Sequence, residues 1–230
     1  MQVEGSITEL VLMDGQSSVR LSCPAGVIPA PGQYLLAHAS GSDEPLATPL
    51  FAAATFPGGF LAPPPIPSTW SPGTQLHLRG PLGRGFRLPS SARRIALVAL
   101  KCSSRILLSL LDRAFHQDAA VTLVGEGAPE DLPLQVEVQP THALLDVCKW
   151  ADFVAFEGAR ELLPELREIF PQPNYAMKAE AQVLVRTAMP CGALAACGVC
   201  TIEAGGRALL ACEDGPEFDF GQVMGWSKRA

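Results

Sequence analysis

The sequence predicts an N-terminal antiparallel β-barrel, a central doubly wound α/β domain and a C-terminal region built round a cysteine loop. Three observations carry this. Short alternating runs broken by proline and glycine fill the first 90 residues. A continuous apolar run, RIALVAL, then opens a regular alternation of strands and helices. Finally, four of the seven cysteines crowd into residues 191–212. The parts are placed at 1–90, 91–175 and 176–230.

In the first part, strands are expected at Gly5–Met13, Ser18–Ser22, Tyr34–Ala39 and Gln75–Arg79, where apolar and polar residues alternate. Ala30-Pro31-Gly32 and Ser71-Pro72-Gly73 punctuate them as turns, and strands this short at this spacing suit a small barrel. Pro63-Pro64-Pro65 is expected at a surface or edge, since proline has no N–H to give to a ladder. Gly80-Pro81-Leu82-Gly83-Arg84-Gly85-Phe86 reads as a tight loop. Its backbone can approach a ligand or a neighbouring chain closely, or simply turn between domains.

From Ser91 the texture changes. Arg94–Leu100 is apolar almost throughout, as in a parallel strand covered on both faces. Ser103 or Ser104 can cap a helix over Arg105–His116. Further strands are expected at Val121–Val124, Leu134–Val138 and Phe153–Phe156, with helices over His142–Lys149 and Arg160–Phe170, the second stopped by Pro171. This alternation implies a doubly wound sheet. A linker and a strand at Gln182–Arg186 lead to the cysteines; beyond them Asp214-Gly215-Pro216 turns, Phe218 and Phe220 pack, and the tail to Ala230 is peripheral or partner-bound. Nucleotide-binding sheets carry a glycine-rich turn after the first strand, which lets phosphate reach a helix N-terminus. Here that turn is Leu100-Lys101-Cys102-Ser103-Ser104, without glycine. Lys101 and the serines can contact an anion, but their side chains crowd a close approach, which argues against dinucleotide binding by this domain.

The cysteines are spaced Cys191-x5-Cys197-x2-Cys200-x11-Cys212, with small residues between the first three. Thiolates at this density are tolerated round a metal, and four soft anionic ligands suit iron–sulfur or zinc. Gly192 and Gly198 permit the left-handed turns that wrap a loop tightly. A wide gap, a close pair and a distant fourth cysteine follow the plant-type [2Fe–2S] order, whose first gap is four residues; here it is five. A structural zinc site more often has two close pairs, and bridged thiols need an oxidising compartment. Both stand as alternatives. Cys23, Cys102 and Cys148 lack partners at ligand spacing and read as buried thiols. The four histidines form no ligand pattern, and no nucleophile–base pair is visible. Arg84 can steer a phosphate or lie solvated, and Trp70, Trp150 and Trp226 read as packing or interface residues.

At 230 residues and net charge −6, with no basic tract, the chain is long enough for a real core and ill suited to nucleic acid. The N-terminus has no secretory pattern and no run reaches membrane-spanning length, so a cytoplasmic location without membrane contact is expected. Only 17% of residues are charged and 48% are hydrophobic, which points either to a covered subunit interface or to a high alanine content.

Taken together, GPLGRGF, Pro31-Gly32-Gln33-Tyr34, Met189 with Cys191-Gly192, the pair Cys197/Cys200 and Cys212-Glu213-Asp214-Gly215-Pro216-Glu217-Phe218 resemble the electron transfer subunit of dihydroorotate dehydrogenase, among the ferredoxin-reductase-like flavoproteins. The resemblance covers nearly the whole chain. It implies an oxidoreductase subunit, not catalytic alone, carrying FAD and a [2Fe–2S] cluster held by Cys191, Cys197, Cys200 and Cys212. Such a subunit relays electrons between an FMN-containing dehydrogenase subunit and NAD, within a heterotetramer of pyrimidine biosynthesis. It also makes Thr48, Pro49, Leu50, Gly80, Pro81, Leu82, Gly83 and Gly85 the flavin's neighbours. Where the family reads Arg-Pro-aromatic/Leu-Ser, residues Leu46–Ala54 read LATPLFAAA, so Thr48 stands in the arginine's place. Threonine does not reproduce a bidentate phosphate contact. The alternatives are a cluster-only relay or assembly subunit without flavin or nucleotide, and a zinc-stabilised binding module.

Overall fold

A computed structural model describes residues 1–171 and 179–226 of the chain. Part of the linker and the end of the tail lie outside the described residues.

The first seven strands are β1 (Gln2–Met13), β2 (Gln16–Ser22), β3 (Tyr34–Ala39), β4 (Thr48–Phe51), β5 (Ala54–Phe56), β6 (Gly59–Ala62) and β7 (Gln75–Leu82). They form an antiparallel sheet in the order β4-β3-β7-β1-β2-β6-β5. Its outer strands, β4 and β5, are separated in the chain only by Ala52 and Ala53. Two residues bridge about 10 Å at most, so the sheet curls until its edges approach, giving the expected barrel. Ile7, Val19, Leu21, Leu35, Leu50, Phe60, Leu76 and Leu78 fill its interior, with Trp70 beside them. Asp14 and Gly15 make the β1–β2 turn, both with positive φ, as a two-residue hairpin matched to strand twist requires. The three short strands β4–β6 are not predicted from the sequence, because three or four residues are too few to show a readable alternation. Pro63-Pro64-Pro65 lies outside the strands, but Pro63 is buried and the Pro64 carbonyl accepts from Arg186 Nη2 at 3.4 Å. The run therefore sits where barrel and α/β domain meet.

The second sheet contains β8 (Arg94–Leu100), β9 (Ala120–Val124), β10 (Val136–Gln139), β11 (Phe153–Ala159), β12 (Glu180–Arg186) and, further on, β15 (Glu217–Asp219). Its order is β10-β9-β8-β11-β12-β15, parallel except for the last pair. Strand order reverses between β8 and β11, which opens a crevice at their carboxyl ends, the usual ligand position in such sheets. The helix expected over Arg105–His116 is two pieces, α1 (Arg105–Leu108) and α2 (Leu111–His116). Between them Ser109 Oγ donates to the Ile106 carbonyl at 2.5 Å, a back-bond that competes with the helical ladder. The later helices, α3 (Leu144–Trp150) and α4 (Leu163–Ile169), each begin with a 3-10 turn.

After β12 the chain enters the cysteine loop, then the hairpin of β13 (Thr201–Ala204) and β14 (Arg207–Leu210), then β15 and α5 (Phe220–Met224). Phe220 stacks on Phe156 with ring centroids 4.3 Å apart and meets Phe170 and Trp226 edge-on. One hydrophobic core joins this region to the α/β sheet and to Tyr34, Leu36, Phe51 and Phe86 at the barrel's foot. Among the described residues no helix is long and apolar enough to cross a membrane.

Candidate metal centre and the adjoining cleft

Residues 189–200 have no regular structure, and their conformation is set by small residues. Gly192, Ala193, Ala195 and Gly198 all take positive φ, between 56° and 68°. For the glycines this is free; for an alanine it costs roughly 1–2 kcal/mol. Two strained alanines persist because the turns aim backbone N–H groups inward. Those of Ala196, Leu194 and Cys197 point at the Cys191 sulfur, and that of Ala195 at Cys212. Successive N–H groups converging in this way form a concave anion site.

The thiols come together as two pairs, Cys191 with Cys197 and Cys200 with Cys212. The second pair is pinned by the Ala211 N–H, which donates to the Cys200 carbonyl at 3.1 Å as β13 and β14 close. Asp214 holds the following turn, accepting from the Leu210 N–H at 2.8 Å. Among the described residues no three His, Cys, Asp or Glu side chains close round a single metal ion. Two thiol pairs side by side suit a centre with two irons, each taking two cysteines, better than one zinc tetrahedron. The pairs differ in setting. Cys200 and Cys212 are buried and Cys197 is exposed. The Ala196 N–H, with that of Leu194, lowers the Cys191 thiol to about 6, whereas burial, with Cys200 alongside, pushes Cys212 up to about 11. A thiol at about 6 is already an anionic ligand near neutrality.

The loop is clamped from three sides. The Arg84 N–H donates to the Gly215 carbonyl at 2.7 Å, and a Cβ on Gly83 would lie 2.4 Å from Pro216. Of the glycines in GPLGRGF, Gly83 is thus required by the Cys-x-Asp-Gly-Pro turn, while Gly80 packs on Leu35 and Gly85 on the Pro31 carbonyl. Arg160 Nη1 donates to the Val199 carbonyl at 2.6 Å. Tyr34 stands behind the cysteines, wholly buried, its hydroxyl without a partner among the described residues. Burial first, then Cys212, Cys200 and Cys191, push that phenol far up. Sequence reasoning noted Tyr34 only as part of a motif; nothing local marks it as a neighbour of the sulfurs.

A cleft lies between the barrel and the carboxyl ends of the α/β strands, with compartments of about 960 and 670 Å³, and no residue of the cysteine loop borders either. Met13, Leu61, Arg105 and Asp131 border both. Of the residues assigned to flavin from sequence, Thr48, Pro49 and Leu50 lie on β4 opposite Ala37, Leu36 and Leu35, with Leu50 inside the barrel core. Gly80, Pro81 and Leu82 end β7, and Gly83 and Gly85 abut Pro216 and the Pro31 carbonyl. The cleft wall is made by the next residues along, Ala52–Phe56, with Pro31 and Phe86. On the facing side the glycine-free turn is filled by its own side chains. Lys101 Nζ binds Glu165 at 2.6 Å, Cys102 Sγ donates to the Glu157 carbonyl at 3.5 Å, and Ser103 Oγ donates to Asp14 at 3.2 Å. Ser104 Oγ is buried without a partner among the described residues. Cys23, Cys102 and Cys148 are raised thiols, each through burial.

Comparison with known proteins agrees with this architecture. Residues 187–224 match the family described as the iron–sulfur cluster binding domain of dihydroorotate dehydrogenase B. An NADH-dependent reduced ferredoxin–NADP oxidoreductase superposes with a TM-score of 0.74 at 18% identity, over 95% of this chain and 88% of that one. The ferredoxin reductase of carbazole 1,9a-dioxygenase gives 0.60 at 17% identity, over 74% of this chain and 65% of the other. A ferredoxin–NADP+ reductase from Plasmodium falciparum gives 0.59 at 9%, over 80% and 96%. These likenesses establish the fold, and the family match establishes an iron–sulfur binding region.

Proposed function

We propose that this chain, whose residues 187–224 belong to the family of iron–sulfur cluster binding domains of dihydroorotate dehydrogenase B and whose fold is that of ferredoxin reductases, is the electron-transfer subunit of a flavin-dependent dehydrogenase. Cys191, Cys197, Cys200 and Cys212 would hold a [2Fe–2S] cluster, and the cleft between barrel and sheet would hold FAD. When bound, the cluster supplies one-electron transfer and the flavin both one- and two-electron transfer. The residues present suit both groups. Paired thiols in a nest of N–H donors suit an anionic cluster. A large cleft with a buried, unpartnered Ser104 hydroxyl suits a polar, elongated ligand.

The chain's own part is to bind, orient and exclude. The N–H groups of Leu194, Ala196 and Cys197 neutralise charge at Cys191, while Tyr34 and the barrel's foot keep water from the inner pair. Cys197 is exposed and flanked by exposed Leu194 and Val199, so the centre presents one apolar rim outward. That asymmetry, inner pair buried and outer pair at the surface, is the observation that carries the relay reading. The partner on that rim would be an FMN-containing dehydrogenase subunit in a heterotetramer, with NAD at the far end of the relay and pyrimidine synthesis as the setting. These assignments follow from the resemblance in sequence motifs; the matched family description adds the name dihydroorotate dehydrogenase B. A cytoplasmic location suits a loop of reduced thiols. A second reading, a relay without nucleotide, is favoured by the filled turn Lys101–Ser104.

Anaerobically purified protein tests this through its visible spectrum, iron, sulfide and flavin contents, and electron paramagnetic resonance after reduction. About two irons, two sulfides and one flavin per chain are expected. Iron and sulfide without flavin, even after adding FAD, leaves the cluster-only relay; zinc alone overturns both. Co-purification with an FMN-containing dehydrogenase subunit tests the partner.

A further inference from the structure

Arg105 is the only cationic side chain buried among the described residues. It opens α1 directly after the turn that follows β8, at the point where strand order reverses, and it borders both compartments of the cleft. Its guanidinium is fully engaged. Nε and Nη2 bind the two carboxylate oxygens of Asp14 at 3.0 and 2.8 Å, and Nη1 binds Asp131 at 2.6 Å. The partners are unlike it in exposure. Arg105 has 8% side-chain exposure, whereas Asp14 has 38% and Asp131 has 69%. Asp14 sits at the tip of the β1–β2 hairpin and Asp131 in the loop between β9 and β10. A buried guanidinium thus faces two carboxylates that are themselves within reach of water, and parting them is offset only if a ligand anion takes their place.

One carboxylate fork to fork and a second through a single oxygen ring the guanidinium where the oxygens of a pyrophosphate would bind. The barrel's Thr48 offers no such partner, so the cleft's buried positive charge comes from the other domain. Ser104 adds an unpartnered hydroxyl beside it. We propose that Arg105 is the phosphate-binding residue for the flavin dinucleotide, and that Asp14 and Asp131 hold its place until the ligand displaces them. This rests on the flavin reading and deepens it. Displacement would also undo the contact between the hairpin tip and the α/β domain, so binding would open one interdomain tie as it makes another.

The test is titration of purified chain, cluster intact and flavin removed, with FAD and with riboflavin, which lacks phosphate, followed by flavin fluorescence and calorimetry. Arg105→Gln is expected to weaken FAD on the order of tenfold to a hundredfold, the worth of a charge-assisted hydrogen-bonded pair, and to leave riboflavin within about twofold. Asp14→Asn with Asp131→Asn, which keeps hydrogen-bond acceptors, is expected to tighten FAD severalfold and serves if Arg105→Gln folds poorly. FAD affinity unchanged in both variants, with wild type binding FAD, overturns the role of Arg105 and leaves the flavin reading intact. No FAD binding by wild type or by the double variant overturns the flavin reading and this inference with it.

Discussion

Tyr34 is placed to tune a cluster held by the cysteines without ligating it. Its hydroxyl has no partner among the described residues, an arrangement that costs about 1–3 kcal/mol unless a cofactor atom accepts from it. Hydrogen bonds to cluster sulfur raise the reduction potential, so Tyr34→Phe is expected to lower it by roughly 50 mV, the one-electron equivalent of about 1 kcal/mol. A potentiometric titration followed by electron paramagnetic resonance reads this, and an unchanged potential would exclude the contact. Glu157 makes a second residue-scale case. It is wholly buried on β11, one oxygen 3.4 Å from Arg186 and the other unpartnered among the described residues. Burial raises its carboxyl to about 7 against the pull of Arg186; Glu217, also buried, is raised to about 7 by the same cause. The folded chain keeps these protons to about 7 while the unfolded chain releases them near 4.5. Stability from each group is therefore complete below pH 4.5 and lost as pH rises to 7, by about 3 kcal/mol. Urea midpoints between pH 5 and 8 should fall in wild type and fall about half as far in Glu157→Gln; an equal fall would dismiss Glu157.

At the scale of elements, the GPLGRGF turn and the cysteine loop act as one unit. Gly83 has φ +74° and no room for a Cβ against Pro216. Gly83→Ala combines left-handed strain with a backbone shift, together roughly 2–4 kcal/mol, or about 5–10 °C in Tm for a chain of this size. The same shift would part Arg84 from Gly215 and loosen the turn that carries Cys212. Calorimetry and the cluster's visible band should therefore change together; a Tm within about a degree of wild type would mean that the two loops are not coupled.

For the whole molecule, the proposed relay makes the exposed rim of the centre the exit for electrons. Leu194 has 67% exposure, beside Val199 at 44%. Leu194→Asp is expected to leave the cluster spectrum unchanged and to weaken capture of the dehydrogenase subunit at least tenfold, as loss of a central apolar contact does. Surface plasmon resonance with the cluster-loaded chain reads both arms, and undiminished capture would place the partner elsewhere.

Local chemistry was legible in the sequence wherever a single residue type met its own requirement. β3 and β8 are where their alternation and apolar run put them, and Gly192 and Gly198 take the left-handed turns that a wrapped cysteine loop demands. The spacing of the four cysteines pointed to a metal centre, with bridged thiols as an alternative, and residues 187–224 match an iron–sulfur binding family. What only the tertiary structure decided is everything that depends on residues far apart in the chain. The closure of β4 against β5, the burial of Tyr34 behind the sulfurs, and the fastening of Arg105 to Asp14, 91 residues away, leave no local periodicity. Helix and strand patterns record which face is buried, whereas cavities, unpartnered groups and interdomain ion pairs exist only once separate elements meet.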